Sequence, residues 1–465
     1  MADVVSSTPV PPVEAPANGN VTFTEVEQVT AYSSLYGMAI LCLIVGSVRS
    51  LQFVRRHVTK NRGIEASLST REAMRFPFTA SAVLFSLYCV FNFSKVFNFV
   101  SVYLPPKIVD MVHAWNTTKA DPENVTEAIQ NVTGVKAILK QALVYMPTIN
   151  KANALHFLLL LLCWEGCVAL AAILKPLFQI VLRRLPIGNR QPRLNIPYLI
   201  SIKSGKKEMD EGAIEDAKKD DTEYMLKIEF DSHDVICILI CLSVGISHLY
   251  QRHWITNNFL GVAFSIYGIE NLHLSSFKAG TILLAGLFVY DVFWVFATEV
   301  MTSVAKGIDA PILLQFPLDI YRNGWLEANR YAMLGSTCSS IVTHVLILGL
   351  GDIVIPGIFV ALLLRFDNRV NQKSGGKQQN QKSRYYFYIT MFAYAFGLLV
   401  TMGVMHYFKA AQPALLYLVP SCVLCPLIVA WFHGEHKELW NYSEETLTDN
   451  YKNEKKKKAA EKKSS

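Results

Sequence analysis

Charge is scarce in this chain. Asp, Glu, Lys and Arg make up 17% of its 465 residues, against about 25% in an ordinary soluble domain. That shortage removes the polar surface a soluble globular enzyme needs. The 52% of apolar residues excludes a disordered chain. The formal charge of +7 sits in loops and tail, as flanks of membrane helices do, so a nucleic-acid binder is excluded too. Also missing are an internal repeat, a Gly-rich phosphate loop and a nucleophile elbow. The nine cysteines (Cys42, Cys89, Cys163, Cys167, Cys237, Cys241, Cys338, Cys422, Cys425) lie in or beside apolar runs. A disulfide framework needs them in exposed loops. Cys422 and Cys425 have CxxC spacing but no second ligand pair, so they read as helix packing and no metal is expected.

The apolar residues come in long runs. Crossing the ~30 Å hydrocarbon layer takes roughly 20 apolar residues in a helix. Such runs fall at Ala31–Phe53, Phe76–Val100, Ala154–Leu182, Val235–Tyr250, Phe259–Phe277, Gly280–Thr298, Cys338–Leu364, Tyr386–Tyr407 and Pro413–Trp431. They predict an all-α, polytopic membrane protein with about nine transmembrane helices.

Residues 1–30 hold no Lys or Arg, whereas Arg55, Arg56, Lys60 and Arg62 follow the first run. The positive-inside rule then puts the N-terminus in the lumen and that loop in the cytosol. The N-tail has no apolar signal-peptide core, so the first helix is expected to direct insertion. Nine crossings carry the C-terminus to the cytosol. Loop 101–151 is then luminal, and it holds sequons at Asn116, Asn124 and Asn131; Asn20 begins another on the same side. These are the expected glycan acceptors. The chain ends Lys462-Lys463-Ser464-Ser465, which resembles the dilysine retrieval signal of endoplasmic reticulum membrane proteins.

The expected organisation is a luminal N-tail (1–30), three N-terminal helices (31–182), a cytosolic loop (183–234), helices four to nine (235–432) and a cytosolic C-tail (433–465). The loop 183–234 is basic at first and acidic later, and reads as a mobile linker.

An intramembrane carboxyl is expensive and therefore a functional candidate. Glu165, Glu270, Asp291 and Asp352 qualify. Glu165 and Glu270 read as carboxyls satisfied by a neighbouring helix. Asp291 and Asp352 lie in consecutive, antiparallel spans, which usually pack as neighbours. Two facing carboxyls can share one proton, so that one accepts a proton from water while the other donates to a scissile carbonyl. The glycines of Gly349-Leu350-Gly351-Asp352 let a facing helix or a substrate backbone approach closely.

Tyr290-Asp291, Gly349-Leu350-Gly351-Asp352 and Pro413-Ala414-Leu415 resemble the YD, GxGD and PAL motifs of the presenilin-type intramembrane aspartyl proteases. The longer runs Phe288–Phe296 and Gly351–Asp367 resemble the signal peptide peptidase branch. The resemblance implies a presenilin-like helical fold and Asp291 and Asp352 as catalytic pair, with Pro413, Ala414 and Leu415 shaping the site. It implies no cofactor and cleavage of type II transmembrane segments, including remnant signal peptides. The partners expected are such membrane-spanning peptides and the lipid bilayer, with a homo-oligomer as a further state and no nucleic acid.

One stretch departs from the family. Residues 336–349 intervene before Leu350-Gly351-Asp352, and Leu-Gly occurs at both junctions (Leu334-Gly335 and Leu348-Gly349). The insert lengthens the seventh run to 27 residues, about 40 Å as a helix. Either it projects into the lumen as extra helix, or it pushes Asp352 away from Asp291; the first is the expectation here. Two alternatives accompany the protease reading. One is a membrane-segment binder disabled by the insert; the other is an ion-coupled transporter, which would call for inverted repeats that are absent.

Overall fold

The computed structural model describes residues 23–59, 68–91, 101, 151–184, 197–206, 222–251, 253–296, 313–318, 320–321, 345–373, 385–408 and 412–444. Its elements, in chain order, are α1 (Glu25–Thr59), α2 (Thr70–Phe91), α3 (Lys151–Arg184), β1 (Pro197–Lys206), β2 (Thr222–Asp231), α4 (Ser232–Gln251), α5 (Trp254–Asn271) and α6 (Phe277–Phe296). Then follow β3 (Leu313–Pro317), β4 (Val345–Gly349), α7 (Gly351–Lys373), α8 (Tyr385–Phe408), α9 (Leu415–Phe432) and the short α10 (His436–Trp440). The protein is a helical, polytopic membrane protein. Six helices among the described residues are long and apolar enough to cross a membrane: Glu25–His57, His156–Leu182, Ser232–Gln251, Phe277–Phe296, Tyr385–Met405 and Leu415–Phe432.

Local chemistry starts the first two helices. Thr24 and Glu27 exchange backbone-to-side-chain hydrogen bonds of 2.9 and 3.3 Å at the head of α1. Ser69 and Glu72 do the same at α2, at 2.7 and 3.4 Å. Both are reciprocal capping boxes that satisfy otherwise orphaned amides.

The helices meet through small residues. Ile269 of α5 wedges between Gly46 of α1 and Gly357 of α7, and a Cβ on either glycine would strike it. Pro77 of α2 sits on Gly286 of α6, where Trp294 also donates to Ser81 Oγ at 3.2 Å. Such contacts are how helices approach closely where lipid supplies no hydrophobic drive. Cys163 and Cys167 of α3 and Cys237 and Cys241 of α4 are buried in one shared cluster, as packing residues.

Buried charges are paired. Arg49 of α1 donates to Glu270 of α5 at 2.6 Å and also reaches the Ala172 and Ile173 carbonyls of α3. Glu270 is therefore satisfied structurally, as expected. Glu165, expected to be satisfied by a neighbouring helix, is instead exposed on α3.

Two expectations are corrected. The stretch 183–234 is not featureless: β1 and β2 form an antiparallel hairpin, with Tyr198 opposite Phe230 and Ile200 opposite Ile228. Its alternating Tyr-Leu-Ile-Ser-Ile pattern was masked by the charges around it. The seventh helix does not begin at Cys338. Val345–Gly349 is a strand, and the helix starts only at Gly351. The apolar run Val345-Leu-Ile-Leu is short, and such runs do not distinguish buried strand from helix. The insert's tail is thus strand rather than helical padding; residues 336–344 lie outside the described residues, as do Asn20, Asn116, Asn124, Asn131, Lys462 and Lys463.

Candidate active site

Asp291 lies in the last third of α6 and is 5% exposed. Asp352 occupies the first turn of α7 rather than mid-helix. Gly280 of α6 packs on Phe359 of α7, so the helices that carry the two aspartates are neighbours.

Three elements set this geometry. The first is the start of α9. Pro413 and Ala414 open its first turn, their carbonyls accepting from the amides of Leu416 and Tyr417 at 3.2 Å. The Leu415 amide, left without an intrahelical acceptor, donates to Asp291 Oδ2 at 3.2 Å. Helix N-termini carry spare N–H groups and partial positive charge, so this one faces a carboxylate naturally. Tyr290, the other residue of the pair, stacks obliquely toward Trp294 with centroids 6.4 Å apart.

The second is the glycine-flanked entry to α7. A Cβ on Gly349 would lie 3.2 Å from Asp352 Oδ2, so this glycine leaves room for the carboxyl itself. A Cβ on Gly351 would meet nothing within 4 Å, and the residue is exposed. The sequence reading treated both as close-approach positions; only Gly349 is crowded by protein, and Gly351 borders open space beside Asp352. Leu350, between them, packs on the core. The Asp352 carbonyl accepts from Tyr394 Oη of α8 at 3.2 Å. Tyr394 is fully buried, and nothing in its apolar neighbourhood singled it out in sequence.

The third is the β3–β4 hairpin, which delivers the chain to Gly351. Its register pairs Leu313 with Gly349, Leu314 with Leu348 and Phe316 with Leu346. The outer edge of β3 is already occupied. Asn258 of α5 donates to the Gln315 carbonyl at 2.6 Å and accepts from the Gln315 amide at 2.9 Å; Asn257 donates to the Leu313 carbonyl at 2.6 Å. Gln315 therefore faces α5. By strand alternation Leu314 and Phe316 bond β4, and the main chain of Ile347 and Gly349 faces the opposite edge. Among the described residues no strand pairs with that edge, and Ile347 is 47% exposed. Asn257 and Asn258 were not singled out in sequence either, because a polar pair at a helix start has many uses.

Comparison with known proteins shows the family of the chain. A family model described as signal peptide peptidase fits residues 60–446. "Intramembrane protease 2" of Caenorhabditis elegans is 50% identical, over 97% of this chain and 98% of that protein. "Signal peptide peptidase" of Homo sapiens is 35% identical over 90% of this chain and 85% of its own length; that of Mus musculus is 34% identical over 93% and 89%. No solved structure matches the chain.

Proposed function

The chain belongs to the signal peptide peptidase family, as an intramembrane aspartic endopeptidase, and from that premise we propose that Asp291 and Asp352 are its catalytic pair. The observation that carries the assignment is that the Leu415 amide of the Pro413-Ala414-Leu415 turn donates to Asp291, while α6 packs on α7, the helix that opens with Asp352. Peptide hydrolysis by two carboxyls needs one ionised and one protonated. The Leu415 amide suits the ionised partner, so Asp291 is the base and Asp352 the acid. Asp291 takes a proton from water as the water oxygen attacks the scissile carbonyl carbon, and Asp352 gives its proton to the carbonyl oxygen. The C–N bond of the resulting diol then breaks. Asp291 returns its proton to the leaving nitrogen, and Asp352 recovers one from a diol hydroxyl.

The substrate is a membrane-spanning segment, and as a helix its peptide bonds are shielded. Once unwound, its freed amides and carbonyls need partners, because lipid offers none. The edge of β4 that no described strand pairs with supplies them a few residues from Asp352, and strand addition is the recurring solution for extended peptides. Type II segments and remnant signal peptides fit a luminal N-terminus and cytosolic C-terminus. Lys462 and Lys463 as a retrieval signal, with glycans on Asn20, Asn116, Asn124 and Asn131, fit residence in the endoplasmic reticulum.

Replacing Asp291 or Asp352 with Ala should abolish cleavage of a transmembrane peptide by purified protein. The pair acts as a unit, so the double variant should be no worse than either single one. Appreciable turnover by either single variant refutes the assignment.

A further inference from the structure

The hairpin before Asp352 is held by an unusual device. In an antiparallel sheet a neighbouring strand makes two bonds to one residue, taking its N–H and giving to its C=O. Asn258 makes both bonds to Gln315 with a single carboxamide, at 2.9 and 2.6 Å. Asn257 adds the bond to the Leu313 carbonyl. Pro317, the next outward-facing position of β3, has no N–H to satisfy. Side chains of α5 thus stand in for a third strand. Both asparagines are buried, at 3% and 6% exposure.

The rest of this helix face serves the same contact. Trp254 packs edge-on against Phe316 with centroids 5.4 Å apart. A Cβ on Gly261 would come within 2.8 Å of Leu314 and 3.5 Å of Leu350. Trp254, Asn257, Asn258 and Gly261 recur at the spacing of one helical stripe. Farther along α5, Gly268 meets Val354 of α7. One helix therefore holds both the hairpin and the helix that carries Asp352.

We propose that Asn257 and Asn258 are positioning residues that fix the β3–β4 hairpin against α5, and so select which peptide bond of the substrate meets the aspartates. The inference rests on the reading that substrate pairs with the free edge of β4. A substrate strand takes its register from Ile347 and Gly349, whereas hydrolysis takes place at a point set by α6 and α7. Among the described residues, the directed hydrogen bonds that tie these two frames together on the outer side of β3 come from α5. One residue step along a strand is about 3.3 Å, so a small slip or tilt of the hairpin presents the neighbouring bond. Packing by Trp254 and Gly261 resists separation but tolerates sliding; directed hydrogen bonds do not.

The test uses full-length protein in lipid vesicles, a transmembrane peptide substrate and mass spectrometry of the products. Asn258→Asp keeps an acceptor for the Gln315 amide but sets a carboxylate against its carbonyl. Asn257→Ala removes one bond, and Asn258→Leu removes two. Each should divert cleavage from the main bond to adjacent ones, shifting the ratio by about fivefold per hydrogen bond lost. Binding of a dyad-directed inhibitor should stay within a few-fold of wild type. Ile347→Pro serves as the control. It deletes an N–H on the free edge, leaves the β3 side paired, and should suppress turnover. If Ile347→Pro cleaves normally, the strand-addition reading falls, and this inference with it. If Ile347→Pro is impaired while Asn258→Asp and Asn257→Ala cut at the wild-type ratio, only this inference falls. Loss of inhibitor binding together with activity in Asn258→Asp also overturns it, since the pair would then hold the fold and not the register.

Discussion

The two ends of α7 are built on opposite plans. At its C-terminal end Arg365 and Asp367 are both held by partners within the protein. Arg365, 4% exposed, donates to Glu444 at 2.7 Å and to Ser50 of α1 at 2.8 Å. Asp367 accepts the Phe387 and Tyr386 amides at 2.9 and 3.3 Å, capping α8. Phe366 sits edge-on to both Tyr386 and Tyr442. The segment after α9 is folded beneath this end, where the Glu444 amide donates to the Ser275 carbonyl at 2.7 Å. At the N-terminal end Gly351 borders open space, and among the described residues no strand pairs with the outer edge of β4. A protease must admit a peptide at one end of this helix and yet hold its aspartate to a fraction of an ångström. The difference shows how both are met: precision is secured at the closed end and by α5, and access is left at the other.

Breaking the closed end should have the largest effect. Arg365→Met leaves Glu444 without its charge partner in a nearly dry site, and losing one member of a buried pair typically costs about 3–5 kcal/mol. Thermal unfolding of the purified protein should show a large drop, with inhibitor binding falling in parallel. A variant as stable as wild type would show that this end is not the anchor.

Acid should loosen the same end more gently. His273, between α5 and α6, stacks on Phe53 at 5.2 Å, and its Nδ1 lies 2.8 Å from the Asn271 carbonyl. Burial first, then the nearby Arg365 charge, pushes its pKa down from 6.5 to about 4. The folded state therefore keeps His273 neutral where the unfolded chain would protonate it. The contribution is intact above pH 6.5 and is lost as pH falls from there toward 4. That interval corresponds to at most about 3 kcal/mol. The stability gap between wild type and His273→Gln should shift against wild type by that order across the window. A gap independent of pH would remove His273 from the account.

Much of this was legible in sequence, and for identifiable reasons. Asp291 and Asp352 stand out because a carboxyl in an apolar run is costly, and their neighbours Tyr290, Gly349, Gly351 and Pro413 carry recognisable motifs. The strand Val345–Gly349 did not stand out, since four apolar residues fit helix and strand alike. Nor did the roles of Asn257, Asn258, Arg365 and Glu444. Their partners lie 56 to 315 residues away in the chain, and no local pattern specifies such a pairing. The insert looked like added helix because its length was counted in helical rise. Its last residues, Leu348-Gly349, repeat Leu334-Gly335, so the strand leading to Asp352 ends on the same dipeptide with or without it.

The smallest effect belongs to the open end, and it turns on a single missing amide. In a helix the carbonyl of Asp352 would accept from the N–H four residues on. That residue is Pro356, which has none. Tyr394 Oη, reaching in from α8, donates to this carbonyl instead. Tyr394→Phe removes the donor and keeps the ring, so the lost hydrogen bond should lower turnover by about fivefold. The unfolding temperature should hardly move, in contrast to Arg365→Met. Pro356→Ala offers the carbonyl a backbone amide of its own. In that background Tyr394→Phe should cost much less, and the cycle of single and double variants measures the coupling directly. If Tyr394→Phe costs the same in both backgrounds, the hydroxyl is not replacing the proline's missing donor. If it destabilises as severely as Arg365→Met, the N-terminal end of α7 is as firmly tied as the other.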